Sequence, residues 1–520
     1  MRSRRRWSVP VALVLAVGVA APAHADGFHT ATPPMISLGP DAPAGSSVVA
    51  IISSGDTLGD FTFEGIPDGI GLMPGAPGEV EVFVSHEQSR VPFLGFADFE
   101  DASVSQLTLD TSDAGVLEAS VPIGPENGYI RFCSSFMAGP AEGFKTYTFF
   151  ANEESSDIID VPPGAPYGPD PAIAPQRQAG YAVVLNAETG AFTQVAGMGR
   201  HNHENSVVIP GGWSERGKGK KMGRAGKGAG PQIAILSTDD TFSPPTSQLY
   251  LYLANRENHI WQDKGSLWAF QATAKNGSRV NPRNAFNGAN DYLDLDPGDT
   301  IKGRFIRVPK RIARGTTALP PQEALERWSN RHNAFQFIRL EDLAYDRHNP
   351  RVVYIADTGA TRVVPDPTTG RMVRGPSGTV GEADNGRIFK MVMNAGNPRK
   401  VNSLTVYADG DWEGTDVFVP MRAPDNIDTS EESLMVQEDT SNAKVWAHDF
   451  DTGSWTHVLS VNDPQGESSG IVDASAFFGE GAWLLDVQAH GSFESSEVID
   501  GVTYKREDGQ LLLVVLPGTT

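Results

Sequence analysis

Short apolar runs that end in acidic or histidine-containing groups recur along the chain. Six such runs occupy residues 82–87, 148–154, 233–240, 353–358, 434–439 and 483–490. Runs of this length, rich in β-branched and aromatic side chains, are typical of buried β-strands. In several cases a second short element precedes the run, at residues 203–208, 341–346, 424–428 and 469–473. Recurring strand–turn–strand units are the sequence pattern of propeller blades, so we predict an all-β, six-bladed β-propeller.

Irregular spacing between the copies indicates two loop insertions. One lies near residues 211–230 and is rich in Gly, Lys and Arg, and the other lies near residues 273–332. We interpret the first as a surface loop, with an anion-attracting lid as the alternative. Helical periodicity is scarce, and residues 321–328 are the best candidate for a short helix. Because all-β architectures run long as one unit, residues 26–520 are predicted to form a single propeller domain.

The two ends of the chain have patterns of their own. Residues 1–25 combine a basic start, an apolar run over residues 9–19 and a small-residue site at Ala23 and Ala25, which is typical of a cleavable secretory signal. The arginines at positions 4–6 also resemble a twin-arginine signal, and both export routes stay open. The first segment of the mature chain is either a loose arm or a strand that closes the ring by pairing with the apolar residues 511–516.

The predicted signal and the overall charge limit the location and the partners. No other stretch reaches the roughly 18 apolar residues of a transmembrane helix, so we predict a periplasmic or secreted monomer that is not inserted in a membrane. Without residues 1–25 the chain has 38 basic and 64 acidic residues, a net charge of −26. Such a surface repels nucleic acid and anionic lipid, and it suits cations.

The acidic run ends predict a metal site in the channel. Inner strands of a propeller line the channel, so acids at equivalent positions converge there although they lie far apart in sequence. Converging carboxylates repel one another and are costly to bury, so a cation is expected among them. For any one acid the alternative is a solvent-exposed turn. The adjacent acids at residues 153–154, 239–240 and 438–439 favour the metal interpretation.

The single cysteine, Cys133, cannot form an internal disulfide. It is therefore either a buried apolar residue or a metal ligand. Oxygen-rich sites favour calcium, and a thiolate among carboxylates can bind a transition metal such as iron.

Several segments, in order, resemble the motifs of the PhoX-type alkaline phosphatase family. They are residues 131–140, 150–154, 199–204, 237–240, 337–342, 424–426 and 438–439. Members of that family are exported six-bladed propellers with iron and calcium in the channel. The resemblance implies hydrolysis of a small phosphorylated substrate at a cluster of calcium (Ca2+) and iron (Fe3+), with Cys133 as the iron thiolate.

The resemblance also implies roles for individual residues. Arg339 is the expected phosphate clamp, and His201 and His203 are either proton donors or residues that hold Glu204. The complete set of candidate metal ligands comprises Cys133, Glu204, Glu153, Glu154, Asp239, Asp240, Glu341, Asp425, Glu438, Asp439 and Glu87.

Two other functions remain open from the sequence. A calcium-dependent propeller hydrolase of the lactonase, phytase or organophosphate-hydrolysing kind would also place acids in the channel, but it would not need Cys133. A secreted propeller with structural ions and a binding role is the other alternative. The chain contains no nucleophile elbow, phosphate loop or dinucleotide fingerprint, which argues against serine catalysis and nucleotide binding.

Overall fold

The structure is a computed structural model, and it describes residues 27–160, 176–213, 232–241, 247–281 and 289–519. The predicted signal, residues 1–25, and most of the insertion near residues 211–230 lie outside the described residues.

The first half of the propeller is built from three blades of four antiparallel strands, preceded by short N-terminal strands. The N-terminal strands are β1 Ile36–Leu38, β2 Ser47–Ser53, β3 Thr57–Leu58 and β4 Phe61–Thr62. The first blade consists of β5 Pro67–Pro74, β6 Glu79–His86, β8 Ser103–Asp110 and β9 Val116–Ile123, with β7 Phe96–Asp98 between β6 and β8. The second consists of β10 Phe132–Ala138, β11 Thr148–Glu153, β14 Ala182–Asn186 and β15 Phe192–Gln194, with the paired strands β12 Ile158–Asp160 and β13 Gln176–Gln178. The third consists of β16 His203–Val208, β17 Ile233–Asp239, β18 Tyr250–Ala254 and β19 Ser266–Lys275.

The insertion after the third blade contains strands and helices. The strands are β20 Ser278–Arg279 and β21 Ile301–Arg307, and the α-helices are α2 Lys310–Ala313 and α3 Pro321–Arg331. Strand β21 pairs with β19 on one side and with a strand of the fourth blade on the other, so it joins the two blades into one ten-stranded sheet. Helix α3 begins at the predicted residue and buries Leu325 and Trp328 against the third blade. The sequence did not predict α2, nor the short helices α1 Glu257–Trp261 and α4 Ser475–Phe478.

The second half of the propeller completes the ring. The fourth blade consists of β22 Leu340–Tyr345, β23 Val352–Asp357, β26 Arg387–Met393 and β27 Lys400–Asp409, with the small hairpin β24 Val363–Pro365 and β25 Met372–Arg374. The fifth consists of β28 Pro424–Thr429, β29 Ser433–Glu438, β30 Lys444–Asp449 and β31 Trp455–Val461. The sixth consists of β32 Glu467–Asp473, β33 Ala482–Ile499, β34 Val502–Val515 and the N-terminal strand β2. The six-bladed all-β prediction is therefore confirmed.

Both ends of the chain contribute to ring closure. Strand β2 pairs antiparallel with β34, where Val49 lies opposite Leu513, and β1 pairs with β31, where Ile36 lies opposite Val461. The inner strands β5, β10, β16, β22, β28 and β32 each contact the inner strands of the two neighbouring blades, so they form a closed ring. Among the described residues, no helix has the length and apolar character needed to cross a membrane.

Five inner strands share an irregularity at their start. The first residue of the strand pairs with the last residue of the next strand, and the register then shifts before pairing resumes. The shifts lie between Pro67 and Ile70, Phe132 and Ser135, His203 and Ser206, Leu340 and Leu343, and Pro424 and Ile427. A β-bulge of this kind bends the strand and changes the direction of a side chain.

We expect Ile52→Ala to lower the free energy of unfolding by about 2–5 kcal/mol, because Ile52 is fully buried in the closing strand β2. Leu38→Ala is the control, since Leu38 in β1 is 44% exposed, and it should change stability by no more than about 0.5 kcal/mol. Urea unfolding measures both variants. Equal stability of Ile52→Ala and the unmodified protein would contradict ring closure by β2.

Candidate metal centre

The five bulges each present one side chain with a possible metal-ligating atom. In every case it is the second residue of the inner strand, and the five residues are Asp68, Cys133, Glu204, Glu341 and Asp425. Two further carboxylates, Glu87 and Glu154, come from the positions that directly follow β6 and β11. The site is thus assembled from equivalent positions of successive blades.

The seven side chains form three overlapping groups. Within each group, one ligand atom of every residue lies within 4.8 Å of the others. The groups are Asp68, Glu87 and Cys133; Cys133, Glu154 and Glu204; and Glu204, Glu341 and Asp425. We call these seven residues the channel cluster. Because Cys133 and Glu204 each belong to two groups, the channel cluster is one continuous row of ligands.

Cys133 lies at the junction of the first two groups. Its Sγ is 3.3 Å from Oε1 of Glu204 and 3.5 Å from Oδ2 of Asp68. Burial, and then the negative charges of Asp68 and Glu204, raise the pKa of the thiol well above its usual value. Without a cation the thiol therefore stays protonated. A bound metal would favour the thiolate, because metal binding displaces the proton of its ligand.

The carboxylates of the channel cluster are buried close to one another, which disfavours their charged forms. Burial raises the pKa of Glu204 well above its usual value, and the nearby Glu341 and Glu154 raise it further. The pKa of Asp425 is raised in the same direction, first by burial and then by Asp439. Oε1 of Glu154 is buried and has no hydrogen-bond partner among the described residues. Buried acceptors without donors are costly, so this composition fits a cation site.

Arg339 lies at the edge of the channel cluster. Its Nε and Nη2 donate to the two carboxylate oxygens of Asp240 at 3.0 and 2.8 Å, and Nη2 is 3.4 Å from Oε1 of Glu341. Nη1 is 3.9 Å from Oδ2 of Asp439. Asp240 and Asp439 directly follow β17 and β29, which is the position of Glu87 and Glu154 in their blades. At two of the equivalent positions, the carboxylate therefore faces a guanidinium instead of a ligand group.

Two predicted ligands, Glu153 and Glu438, lie outside the channel cluster. Glu153 accepts backbone N–H groups from Ile130 and Tyr181, both at 3.1 Å. Glu438 accepts the backbone N–H of Arg422 at 2.9 Å, the backbone N–H of Lys444 at 3.1 Å and Nε1 of Trp446 at 2.8 Å. Successive side chains of a strand point to opposite sides, so the next residue faces the channel and these two hold the strand ends. We therefore leave both out of the proposed ligand set.

His201, His203 and Asp239 also lie outside the channel cluster. The two imidazole rings are fully buried, and their centroids lie 3.7 Å apart with the ring planes tilted by 33°. Nε2 of His203 donates to the carbonyl of Gly199 at 3.3 Å, so Nδ1 accepts from the hydroxyl of Ser237 at 3.1 Å. Burial lowers the pKa of His203 to about 3, and burial together with His203 lowers the pKa of His201 well below its usual value.

Both imidazoles therefore remain neutral near pH 7. Nδ1 of His201 faces Oδ1 of Asp239 at 3.8 Å, and Asp239 also accepts a hydrogen bond from Thr241 at 2.8 Å. These contacts lie on the side of the third blade opposite to Glu204 and Asp240, which follow His203 and Asp239 in sequence. The residues support the blade, and we do not carry their catalytic or ligand roles into the proposed function.

Sequence reasoning missed Asp68. Its segment, residues 67–70, has the Pro-Asp-x-Ile pattern of residues 424–427, and that likeness was the available signal. Oδ2 of Asp68 accepts hydrogen bonds from Ser469 at 3.0 Å and from Gln488 at 3.1 Å. The sixth blade has no residue in the channel cluster, and it supports the site through these two donors instead.

These features define a six-bladed β-propeller with a buried cluster of carboxylates and one thiol in its channel. No protein-family model matches the chain, and no curated protein matches its sequence. Among solved structures, the PhoX of Pseudomonas fluorescens in complex with vanadate, a transition-state analogue, is similar with a TM-score of 0.59 and 15% identity. The similarity covers 94% of this chain and 97% of that chain, and it shows a shared fold.

Two other solved structures are more distant. The α-L-arabinofuranosidase Arb93A of Fusarium graminearum in complex with an iminosugar inhibitor has a TM-score of 0.39 and 7% identity over 89% of this chain and 97% of that chain. The β-propeller domain of Cps50 (Swd1) from Myceliophteria thermophila has a TM-score of 0.34 and 9% identity over 91% and 99%. Similarity at this level does not bear on function.

In the metal-free protein, we expect the free energy of unfolding to fall as the pH rises above about 7. Burial raises the folded-state pKa of the cluster carboxyls, so the folded state retains protons that the unfolded chain has lost. Each retained proton contributes a slope of about 1.4 kcal/mol per pH unit. Histidine does not oppose the trend, since ordinary imidazoles are already neutral in this range. Urea unfolding with a chelator measures it, and saturating calcium should flatten the slope. Metal-free stability that rises with pH would contradict the expected direction.

The adjacent residues Glu153 and Glu154 allow a matched comparison. In chelator, Glu153→Gln should lower the free energy of unfolding by roughly 1–3 kcal/mol, because an amide NH2 would then face a backbone N–H. Glu154→Gln should not lower it, since the change removes a buried carboxyl from a repelling cluster. Added calcium should raise the melting temperature of Glu153→Gln as in the unmodified protein and should have a smaller effect on Glu154→Gln. Equal loss of the calcium effect in both variants would argue against separate roles.

Proposed function

We propose that the chain is an exported, metal-dependent phosphoric ester hydrolase of the PhoX type. The observation that carries the proposal is the channel cluster, in which a buried thiol and six carboxylates meet beside a guanidinium. The shared fold with PhoX and the resemblance of the ordered motifs support it. The proposal includes export through the predicted signal and action as a monomer on a small phosphorylated substrate.

The residues of the channel cluster fit iron and calcium. Cys133, with Glu154 and Glu204, offers the sulfur and oxygen ligands that suit iron, while the groups around Glu87 and Asp425 offer the oxygen ligands that suit calcium. The partnerless Oε1 of Glu154 is consistent with a ligand that a cation completes. When bound, such ions neutralise phosphoryl oxygens and lower the pKa of a bound water.

Arg339 is the residue of this chain that would bind the phosphoryl group. Asp240 orients its guanidinium through two hydrogen bonds, and Glu341 lies on the same side at 3.4 Å. A planar guanidinium matches the spacing of phosphoryl oxygens, and its charge favours a transition state in which negative charge spreads over them. When substrate binds, a phosphoryl oxygen would replace a carboxylate oxygen as a hydrogen-bond partner of Arg339. We therefore propose that Asp240 positions the guanidinium before substrate binds, and that Asp357 fixes the backbone from which Arg339 extends.

Asp357 holds that strand end through the backbone. Its carboxylate accepts the N–H groups of Ile338, Arg339 and Gly359 at 3.0, 3.2 and 3.0 Å. The main chain at Arg339 is thereby fixed before substrate arrives, which lowers the cost of ordering the clamp. Burial is the first cause that raises the pKa of Asp357, to about 7, and the three N–H donors oppose that rise.

The experiment is Cys133→Ser, purified without chelator and compared with the unmodified protein. We expect the unmodified protein to contain iron and calcium and to hydrolyse a chromogenic phosphate monoester. In Cys133→Ser, iron content should fall to near zero while calcium remains. The hydrolysis rate should fall by roughly 100-fold, because loss of a direct ligand costs at least as much as loss of a residue that only supports a ligand. Elemental mass spectrometry and initial rates measure the two effects.

The other outcomes favour other functions. Calcium without iron, with activity unaffected by Cys133→Ser, would favour a calcium-dependent propeller hydrolase. Bound metal with no turnover of any ester in a broad panel would favour a binding propeller with structural ions. A normal melting temperature in chelator shows that Cys133→Ser folds, so that loss of iron is not a consequence of unfolding.

A further inference from the structure

An apolar edge borders the channel opening beside Glu87. The loop between β6 and β7 exposes Phe93 at 54% and Leu94 at 84%, and the first residue of β7, Phe96, is 50% exposed. In the described part of the chain, eleven large hydrophobic side chains are exposed, and three of them lie within residues 93–96. We call Phe93, Leu94 and Phe96 the aromatic lip. A grouped, exposed apolar surface of this kind marks a binding site, whereas single exposed apolar residues are ordinary.

The aromatic lip is held in place by the scaffold. Phe93 and Phe96 exchange backbone hydrogen bonds at 2.8 and 2.9 Å, and the N–H of Thr503 in β34 donates to the carbonyl of Gly95 at 3.0 Å. Strand β7 pairs in parallel with β34, where Phe96 lies opposite Thr503. The rings are therefore exposed because the fold fixes them there.

Two cavities connect the aromatic lip with the channel cluster. One has a volume of about 200 Å³ and is lined by Glu87, Phe93, Arg131, Glu154 and Asn202, among others. The other, of about 280 Å³, is lined by Glu87, Phe93, Phe96 and Arg131, together with Lys505 and other residues. Glu87 and Glu154 belong to the channel cluster, so a molecule bound at the lip would extend toward these two carboxylates. A larger cavity of about 860 Å³, beside Lys145 and Trp261, contains no residue of the cluster.

A cation lies beside each ring of the aromatic lip. The guanidinium of Arg131 is 5.7 Å from the ring centroid of Phe93, and Nζ of Lys505 is 4.8 Å from that of Phe96. Both cations are paired with carboxylates, Arg131 with Asp157 at 2.8 Å and Lys505 with Glu507, and Glu87 lines both cavities. The lip therefore offers exposed aromatic rings rather than free positive charge, which suits the aromatic part of a ligand.

Arg131 connects the lip to the cluster through its backbone. Its φ of 47° is unusual for a residue with a side chain. Hydrogen bonds at 2.9 Å, from its N–H to the carbonyl of Gln88 and from the N–H of Glu154 to its carbonyl, hold this conformation. A strained conformation held in this way is typical of functional sites.

We infer that the aromatic lip binds the leaving group of the substrate, and that the preferred substrates are phosphate esters of aromatic alcohols. This inference rests on the proposed function. An aromatic leaving group would contact the rings of Phe93 and Phe96 while the phosphoryl group lies at the channel cluster. A small polar leaving group would not reach the rings, so it would gain nothing from them.

The kinetic test compares naphthyl phosphate with glycerol phosphate on the metal-loaded protein. Phe93→Ala and Phe96→Ala should each lower kcat/KM for naphthyl phosphate by about tenfold and leave kcat/KM for glycerol phosphate within about twofold. Phe493→Ala is the matched control, because Phe493 is 50% exposed and lines neither cavity. It should leave both substrates unchanged. Equal losses for the two substrates, or an equal loss in the control, would overturn the inference.

A binding measurement separates the inference from the proposed function. Anilinonaphthalene sulfonate is a fluorescent aromatic anion without a phosphate ester, and it can be titrated into the chelator-treated protein. Phe93→Ala should weaken its binding by about tenfold, and Phe493→Ala should not. Lip-dependent binding of this probe without hydrolysis of any phosphate ester would overturn the proposed function. Ester hydrolysis that is insensitive to both lip variants would overturn the lip inference and leave the proposed function intact.

Discussion

A regular β-strand alternates its side chains between two faces, and in a propeller both faces of a blade pack against neighbouring blades. The starts of five of the six inner strands depart from this rule, and the chemistry of the channel depends on that departure. A bulge follows the first residue of the strand, and the second residue points toward the channel. Because the bulge recurs in five blades, residues from Asp68 to Asp425 meet within one small volume.

In three blades, the residue that pairs with the start of the inner strand performs the opposite task. Glu153, Asp357 and Glu438 occupy this position, and their carboxylates accept backbone N–H groups of nearby loops. These bonds hold the loops that carry Glu154 and Arg339 close to the channel. At Glu153 and Glu438 one acid thus fixes the backbone, and the next residue, Glu154 or Asp439, brings charge toward the channel, whereas Asp357 is followed by the uncharged Thr358. The resulting cluster is unfavourable without a cation, since burial raises the pKa of Glu204, Glu341 and Asp425 together.

The fold was predictable because strands that are buried on both faces have an apolar composition that is visible in the sequence. The six apolar runs are the second strands β6, β11, β17, β23, β29 and β33, which are covered on both faces and therefore stand out in the sequence. The inner strands are more polar at their starts, and the blade-one strand that contains Asp68 went unrecognised. Helix α3 was predicted because it packs one apolar side on the third blade, whereas α2 and α4 have four residues each, too few to show a period.

The site was predictable only to the level of adjacent pairs. From the sequence, Glu153 and Glu154 are indistinguishable, as are Asp239 and Asp240, because the choice depends on strand register and on the position of the bulge. Arg339 pairs with Asp240 and Asp439, which both lie about 100 residues away in sequence, so no local pattern predicts these contacts. His201 and His203 are conspicuous in the sequence, yet the blade buries both rings on the side away from Glu204.

The central claim is that the bulges assemble a cation site around Cys133. A crystal of protein purified without chelator, measured on both sides of the iron absorption edge, tests it most directly. The account predicts an anomalous difference peak in contact with Sγ of Cys133 and a carboxylate oxygen of Glu204, with further cation density at Glu87 or Asp425. Refined density that contains only water among these residues, with the thiol still hydrogen-bonded to Glu204, would contradict it.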